Sequence, residues 1–481
     1  MFLPVVAPGC GADTDLSACI LPDPSERLPL RQAAYIKASA ASGAESAFGG
    51  AVAVSGDGST LVVGADRDPS GALGVGADPT DRSSPGSGAA YVFVRSGATW
   101  TQQAYLKPAN KHAAVEFGGR LALSKTGDTL VVGVPEDSTP RFSGSAVVFR
   151  RVAATWTEEG YLRSSRGARG SQFGVSVAIS DSGDTVVVGA LHTAGPGTSG
   201  CEHATPSGDV CRGAAYVFDR TGGRWEERAI LEPPEWMTLP YPVLAALLMG
   251  TVRISGDGNV VAALATGTLL TFTRGPKWMF EASAPLPAPR HDPDPPIGFG
   301  WHGGYSITPM GLAMSSDGRT LAVGEPEAPS RGETFASRVE VFARQDGKLQ
   351  RTAVVQPLAS RSGAKFGLKV ALSGAGRHLA VGAYADSGGQ GGTNADPCGS
   401  TVGFAGAAYL FTLDGGAWRE RAFLKARRVK REAYFGGSVA LDALGATLVV
   451  GAPGDSSSAS GIDGDESDAS TPYAGAAYVF R

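Results

Sequence analysis

Phe48-Gly49-Gly50-Ala51-Val52-Ala53-Val54-Ser55, turning at Gly56-Asp57-Gly58 and running on through Thr60-Leu61-Val62-Val63-Gly64-Ala65, is the stretch that decides the fold. It reads as an alternating apolar strand, a tight glycine turn and a Val-rich second strand. The Phe-Gly pair returns at Phe117, Phe173, Phe366 and Phe435, and worn copies run from Gly250 to Ala263 and from Tyr305 to Gly324, which makes seven units. A unit this small cannot bury its own apolar face, so it must stack on its neighbours, and seven such units predict a closed ring. Units of one kind cover Ala34 to Arg481, roughly 64 residues apiece. Propeller repeats run about 40–50 residues, so each unit here carries extra loop.

Every unit offers four strand-like runs. In the first they are Phe48–Val54, Thr60–Gly64, Ala89–Val94 and, past Trp100, Ala104-Tyr105-Leu106-Lys107. The second run is apolar on both faces, as a strand covered on two sides should be. Four antiparallel strands make a propeller blade, so the expected fold is an all-β, seven-bladed β-propeller. The first recognisable strand, Ala34-Tyr35-Ile36-Lys37, matches the fourth strand of a unit, and the last unit stops at Arg481 after its third. The N-terminal strand is therefore expected to complete the final blade in a 3+1 closure, which leaves no open ring end. The turn between the first two strands keeps glycine fourth in all seven units, from Ser55-Gly56-Asp57-Gly58 to Asp442-Ala443-Leu444-Gly445. A hairpin commonly needs positive φ at that place.

With 68 Gly, 42% apolar and 18% charged residues, the chain suits short strands and tight turns. A net charge of −4 without a basic stripe argues against a nucleic-acid partner. No apolar run approaches the ~20 residues of a membrane span. Residues 1–30 read as a leader and linker, and 31–481 as one propeller. Met1 to Gly11 ends an apolar stretch in small residues and Cys10. That pattern resembles the tail of a bacterial lipoprotein signal, although it lacks a basic n-region. Cys10 is either acylated, giving a lipid anchor, or an ordinary cysteine of a leader. Cys201 and Cys211 stand ten positions apart in one loop, a spacing that a local disulfide can close. Zinc is the rival, but there is no Cys-x-x-Cys pair and only His203 lies near. An oxidising, extracytoplasmic compartment follows, either the cell envelope or the secreted space.

Phe-Gly-x-x-Val-Ala, Val449-Val450-Gly451-Ala452-Pro453 and Gly475-Ala476-Ala477-Tyr478-Val479-Phe480 together resemble the FG-GAP repeat family, known from the seven-bladed heads of integrin α subunits. The resemblance covers about nine-tenths of the chain and looks closest to a bacterial secreted subgroup with Tyr-Leu-Lys strands and Trp-containing hairpins. The hairpin tryptophans are Trp100, Trp156, Trp225, Trp278 and Trp418, expected to pack each hairpin on the next blade. Many family members bind calcium through Asp-x-Asp-x-Asp-Gly in a blade turn. The turns between first and second strands offer at most one carboxylate each here, too few for calcium, so no metal is expected at them.

The resemblance also implies that the long loops Asp66–Gly86, Leu191–Arg212, Tyr384–Phe404 and Gly454–Tyr473 emerge on one face, where propeller ligands usually bind. The last of these carries Asp463, Asp465, Glu466 and Asp468, which reads either as a calcium loop or as a solvated acidic loop. Units four and five have lost Phe-Gly and gained insertions, one with Trp236 and Tyr241, the other with Trp301 and His302. Aromatics on proline-stiffened loops suit a sugar or a protein partner, or else fill the gaps left by the missing phenylalanines. No nucleophile, metal-site or phosphate-loop motif appears, and no cofactor is expected. First-strand positions taken from units one and three (Gly49, Ala51, Ala53; Gly174, Ser176, Ala178) predict a channel lined by small residues, with few acids or bases for chemistry. The sequence thus points to an extracytoplasmic, non-enzymatic binding or scaffold propeller for a protein or glycan. The alternatives are a polysaccharide lyase or hydrolase working in the channel, and a purely structural surface protein.

Overall fold

The structure, a computed structural model, describes residues 23–39, 45–113, 115–137, 143–167, 170–193, 212–237, 249–265, 267–286, 311–325, 337–359, 363–397 and 400–481. Seven four-stranded antiparallel sheets stand around one axis. Blade 1 runs from an inner strand, Phe48–Val54, through Thr60–Ala65 and Ala89–Ser96 to an outer strand, Thr99–Leu106. The outer strand is longer than the sequence reading, because Trp100 lies inside it. Each inner strand neighbours the next around a closed circle that ends with Ser438–Leu441 of blade 7 against Phe48–Val54 of blade 1. Blade 7 is completed by Gln32–Ile36, paired antiparallel with Ala476–Phe480. The 3+1 closure is therefore as expected.

What locks one blade to the next is the pair of glycines in the repeat. Gly118, which follows Phe117, has φ +95, and a Cβ there would overlap the carbonyl oxygen of Ala89 in blade 1. The carbonyl of the same Gly118 occupies the space of a Cβ on Gly64, the glycine of Val62-Val63-Gly64. The Gly49–Gly451, Gly174–Gly133 and Gly436–Gly382 pairs repeat the arrangement. The Phe-Gly glycine of one blade and the Val-Val-Gly glycine of the blade before it are thus two halves of one close backbone approach. Beside it each phenylalanine is fully buried, as Phe48 is against the edges of Tyr91 and Phe93 at 5.3 and 6.3 Å between centroids.

At the other end of the strands, all seven turn glycines take positive φ, from +65 at Gly376 to +80 at Gly183. The serine that opens the turn is buried for a reason. Its Oγ accepts the amide five residues on, as Ser55 does from Thr60 at 2.9 Å and Ser315 from Thr320 at 2.9 Å. The turns also bond to one another. Six backbone hydrogen bonds link Lys125, Gly56, Ala443, Gly374, Ser316, Gly256 and Asp181 in succession. The gap between blades 2 and 3 is spanned by Lys125 Nζ on Asp181 Oδ2 at 2.9 Å, and the same ammonium reaches across to Ser316 Oγ at 3.0 Å. This end of the channel is laced shut. Around the rim, Trp156 donates to Gln103 of blade 1 at 2.9 Å and Trp225 to Glu159 of blade 2 at 3.2 Å, so these two hairpin tryptophans do tie blades together.

One expectation about the channel needs correcting. Where blade 1 has Ala51, the other inner strands have Ser176, Thr251, Gly311 and Ser438, but also Arg120 and Lys369; where it has Ala53, blade 4 has Arg253. Units one and three, from which the small-residue lining was read, are not representative.

Candidate functional site

In blades 1, 2, 6 and 7 the long loops are anchored by a buried polar cluster at the start of the connection between second and third strands. In blade 7, Asp455 accepts hydrogen bonds from Tyr35 at 2.9 Å, Tyr478 at 3.1 Å and the amide of Ser457 at 3.0 Å, and pairs with Lys37 at 3.3 Å. Burial works against its ionisation, but Lys37, Lys430 and these donors hold the carboxyl below its usual range. Burial outweighs the carboxylate for Lys37 and brings that ammonium down to about 8. Asp68 of blade 1 takes Tyr91 at 2.7 Å and Tyr105 at 2.9 Å, while Lys107 donates to the Ser70 and Gly88 carbonyls at 2.6 Å each. Asp386 of blade 6 binds Lys425 at 2.7 Å, and Asp137 of blade 2 takes Tyr161 and Ser145. Blade 3 has Thr193 at the aspartate's place and Glu232 at the lysine's. These clusters are satisfied, so they pin the loops rather than offer reactive groups.

On those pinned loops, blades 6 and 7 build an aromatic platform. Tyr434, immediately before Phe435-Gly436, lies 6.2 Å from Tyr384, 6.0 Å from Phe404 and 6.5 Å from Tyr473, the last nearly parallel at 22°. Phe404 is 49% exposed and Tyr473 37%. Phe404, Tyr434 and Tyr473 all have φ near +55. For a bulky side chain that region costs about 1 kcal/mol or more. The Tyr434 position is left-handed in every blade where it is described, at Ala47, Glu116, Gln172 and Lys365. The conformation thus belongs to the blade, and among the described residues blades 6 and 7 alone place rings at it and its neighbours. The backbone amide of Tyr434 donates to the Phe404 carbonyl at 3.0 Å and that of Glu432 to Gly403 at 2.9 Å. The Tyr473 hydroxyl donates to Glu432 at 2.8 Å, which pushes that phenol up to about 12. A polar cavity of about 430 Å³ opens along the same connection, between Arg427, Arg428 and residues 463–467.

Of the residues singled out in the sequence, Trp236 is 65% exposed and meets Phe280 edge-on at 6.1 Å, so it does not replace a missing core phenylalanine. Tyr241, Trp301, His302, Cys10, Cys201 and Cys211 lie outside the described residues. The acidic loop is described. Asp463 accepts the Tyr35 amide at 2.8 Å, Asp465 the Ser467 amide at 2.8 Å, and Asp468 the Ser458 amide at 2.6 Å. Each carboxylate thus caps a different stretch of backbone. Among the described residues no three His, Cys, Asp or Glu side chains converge on a common point. Titration of the chelated protein with calcium is expected to give no saturable heat; a saturable heat that Asp465→Asn abolishes would establish a calcium loop instead.

The platform, its pinned loops and the ring define a β-propeller with one elaborated, loop-rich face. The FG-GAP repeat model matches residues 156–218, from the outer strand of blade 2 through the third strand of blade 3. The chain is thus a seven-bladed propeller carrying the FG-GAP repeat. No relative emerges among curated protein sequences. Similar solved structures include a protein from Lactobacillus plantarum, 14% identical, covering 82% of this chain and 88% of that one with a TM-score of 0.45. The periplasmic gluconolactonase of Pseudomonas aeruginosa is 14% identical over 83% of this chain and 98% of its own, with a TM-score of 0.44. A functionally unknown protein from Desulfotomaculum acetoxidans is 11% identical over 79% and 89%, with a TM-score of 0.43. At these values none of them bears on activity. Among the described residues no helix is long and apolar enough to cross a membrane.

Proposed function

We propose that this protein is an extracytoplasmic, non-enzymatic binding propeller that takes a glycan or protein ligand on its loop-rich face. The observation that carries the reading is the exposed ring platform of Phe404, Tyr434 and Tyr473, held at a left-handed backbone position by a hydrogen-bonded pair of loops. Tyrosine offers a flat apolar body with a polar tip, which suits a sugar ring or an interface anchor, and its two side-chain torsions cost little entropy to fix. Trp236 and the insertions of blades 4 and 5 form the second region where a ligand would be sought.

A glycan array and a pull-down from envelope extract, run in parallel, test this. Phe404→Ala with Tyr473→Ala is expected to weaken binding by about tenfold or more, at about 0.5–1.5 kcal/mol per ring beyond the lost area. Trp236→Ala with Trp301→Ala serves as the comparison. Undiminished binding by the first pair would remove the platform from the site, and loss in the second pair alone would move the site to blades 4 and 5. Turnover of a polysaccharide by the wild type would replace the reading with an enzyme. Binding to nothing in either assay would favour a structural surface protein.

A further inference from the structure

Three basic side chains reach the axis from alternate blades. Arg120 in blade 2 and Lys369 in blade 6 share one inner-strand position, and Arg253 in blade 4 sits two residues further along its own strand. All three stand on inner strands of non-adjacent blades, and the charges of Arg120 and Arg253 are near enough to act on Lys369. Burial first, and those two charges second, bring the Lys369 ammonium down to about 8. The surrounding wall is small, with Ala51, Ser176, Thr251, Gly311 and Ser438 at the same level, and the tight-turn end is closed by the bonded turns and Lys125.

The partners of these cations are few. Arg253 donates to the neighbouring carbonyl of Val252 at 2.7 Å, and Arg120 to the carbonyls of Gly119 at 3.1 Å and Val175 at 3.2 Å. Among the described residues the Lys369 ammonium has no hydrogen-bond or ion-pair partner. The acids in reach stand at the mouth beside Arg120. Asp66, whose Oδ1 is buried without a partner, is pushed up to about 6, chiefly by burial, and Glu116 lies next to it. Among the described residues no acid acts on Lys369 or Arg253. Cations with so few anionic partners, gathered where the wall is small, have the form of a receptor for negative charge.

We propose that the central channel binds a small oxyanion, a carboxylate or phosphate group, entering from the loop-rich face and held by Lys369, Arg253 and Arg120. This site is separate from the aromatic platform and does not depend on it. The full-length protein would be titrated calorimetrically with sodium phosphate and with sodium citrate, and melted in each, against sodium chloride at matched ionic strength. One or both oxyanions are expected to give saturable heat and to raise the midpoint by about 2 °C or more, with chloride doing neither. Citrate alone would point to carboxylates, phosphate alone to phosphates.

Lys369→Met is expected to raise the anion-free midpoint, because it removes a charge that Arg120 and Arg253 oppose, and to abolish the anion-dependent rise. Arg253→Met should weaken the rise, and Lys348→Met on an exposed hairpin should leave it intact. The pH dependence has a definite sign. The folded state binds the Lys369 proton more weakly than the unfolded chain, so the anion must hold that proton on, and affinity should fall as pH climbs through about 8. Equal behaviour in chloride, or a full anion response in Lys369→Met, would overturn the site. Ligand capture on the array or in the pull-down that persists in Lys369→Met leaves the loop-face reading standing, whatever happens to this one.

Discussion

Gly118→Ala is expected to abolish soluble expression, or to yield a protein destabilised by about 4 kcal/mol or more, at the extreme of what single substitutions do. Three costs coincide at this position. The added Cβ would overlap the Ala89 carbonyl oxygen, a backbone atom that cannot swing aside as a side chain would. The residue sits at φ +95, outside even the left-handed region that an L-residue tolerates. Lastly, Gly118's own carbonyl is seated against Gly64, so any relief by backbone movement opens the contact on the opposite side. Gly64→Ala should fail in the same way, because it fills the other half of the same contact. Gly97→Ala is the proper control. It also has positive φ, at +62, but nothing lies within 4 Å of its Cβ, so it should cost only about 1–2 kcal/mol. Chemical denaturation of the three variants against wild type reads the difference. A Gly118→Ala protein as stable as Gly97→Ala would mean that the blades are not held together through this approach.

That pair of glycines explains why the architecture was so legible. Phe117-Gly118 and Val63-Gly64 are each a local pattern with a private steric reason, and the turn serine and glycine add a second reason six to nine residues away. Blades 4 and 5 lost Phe-Gly yet kept Ser255 to Gly258 and Ser315 to Gly318, so they too could be counted. The clusters beneath the loops were another matter. Asp455 looks like any loop aspartate beside a glycine, and its partners Tyr35 and Lys37 stand more than four hundred positions away, brought near only by ring closure. Tyr384, Phe404, Tyr434 and Tyr473 likewise share no spacing, because two of them precede third strands, one follows a second strand and one precedes Phe-Gly. Superposing all seven units would have exposed them as rings at positions that elsewhere hold Asp66, Gly86, Glu116 or Ala47. The same column-wise reading would have found Arg120 and Lys369 at the Ala51 position. Insertions drew the eye to blades 4 and 5, whereas the described rings of the loop face gather in blades 6 and 7.

Deleting residues 31–39 is expected to remove most of the stability of the fold. Ala34, Tyr35, Ile36 and Lys37 are at most 3% exposed, so the strand is a core element of blade 7 and not a trailing segment. Burying its apolar side chains contributes on the order of 5 kcal/mol, comparable with the whole margin of a typical domain. The loss goes further than area. Asp455 would keep its buried place without Tyr35 or Lys37, leaving a carboxylate short of donors, which alone costs about 3–5 kcal/mol when a buried pair is broken. The third strand of blade 7, Ala476–Phe480, would also become an open edge able to pair with another chain. Aggregation, or a midpoint lowered by about 10 °C or more, is the expected outcome in thermal melts. A circular permutant separates the strand's role from its position in the chain. Arg31 and Arg481 exchange backbone hydrogen bonds at 2.9 and 3.0 Å, the geometry of a hairpin waiting to be joined. Linking Arg481 to Arg31 through a two-residue glycine turn, with the new N-terminus just before Phe48, should therefore restore the midpoint to near wild type. Should the plain deletion melt like the intact protein, the strand would not be what closes the ring. If the deletion fails and the permutant fails with it, then the covalent link into Phe48, and not the strand alone, would be required for the ring to close.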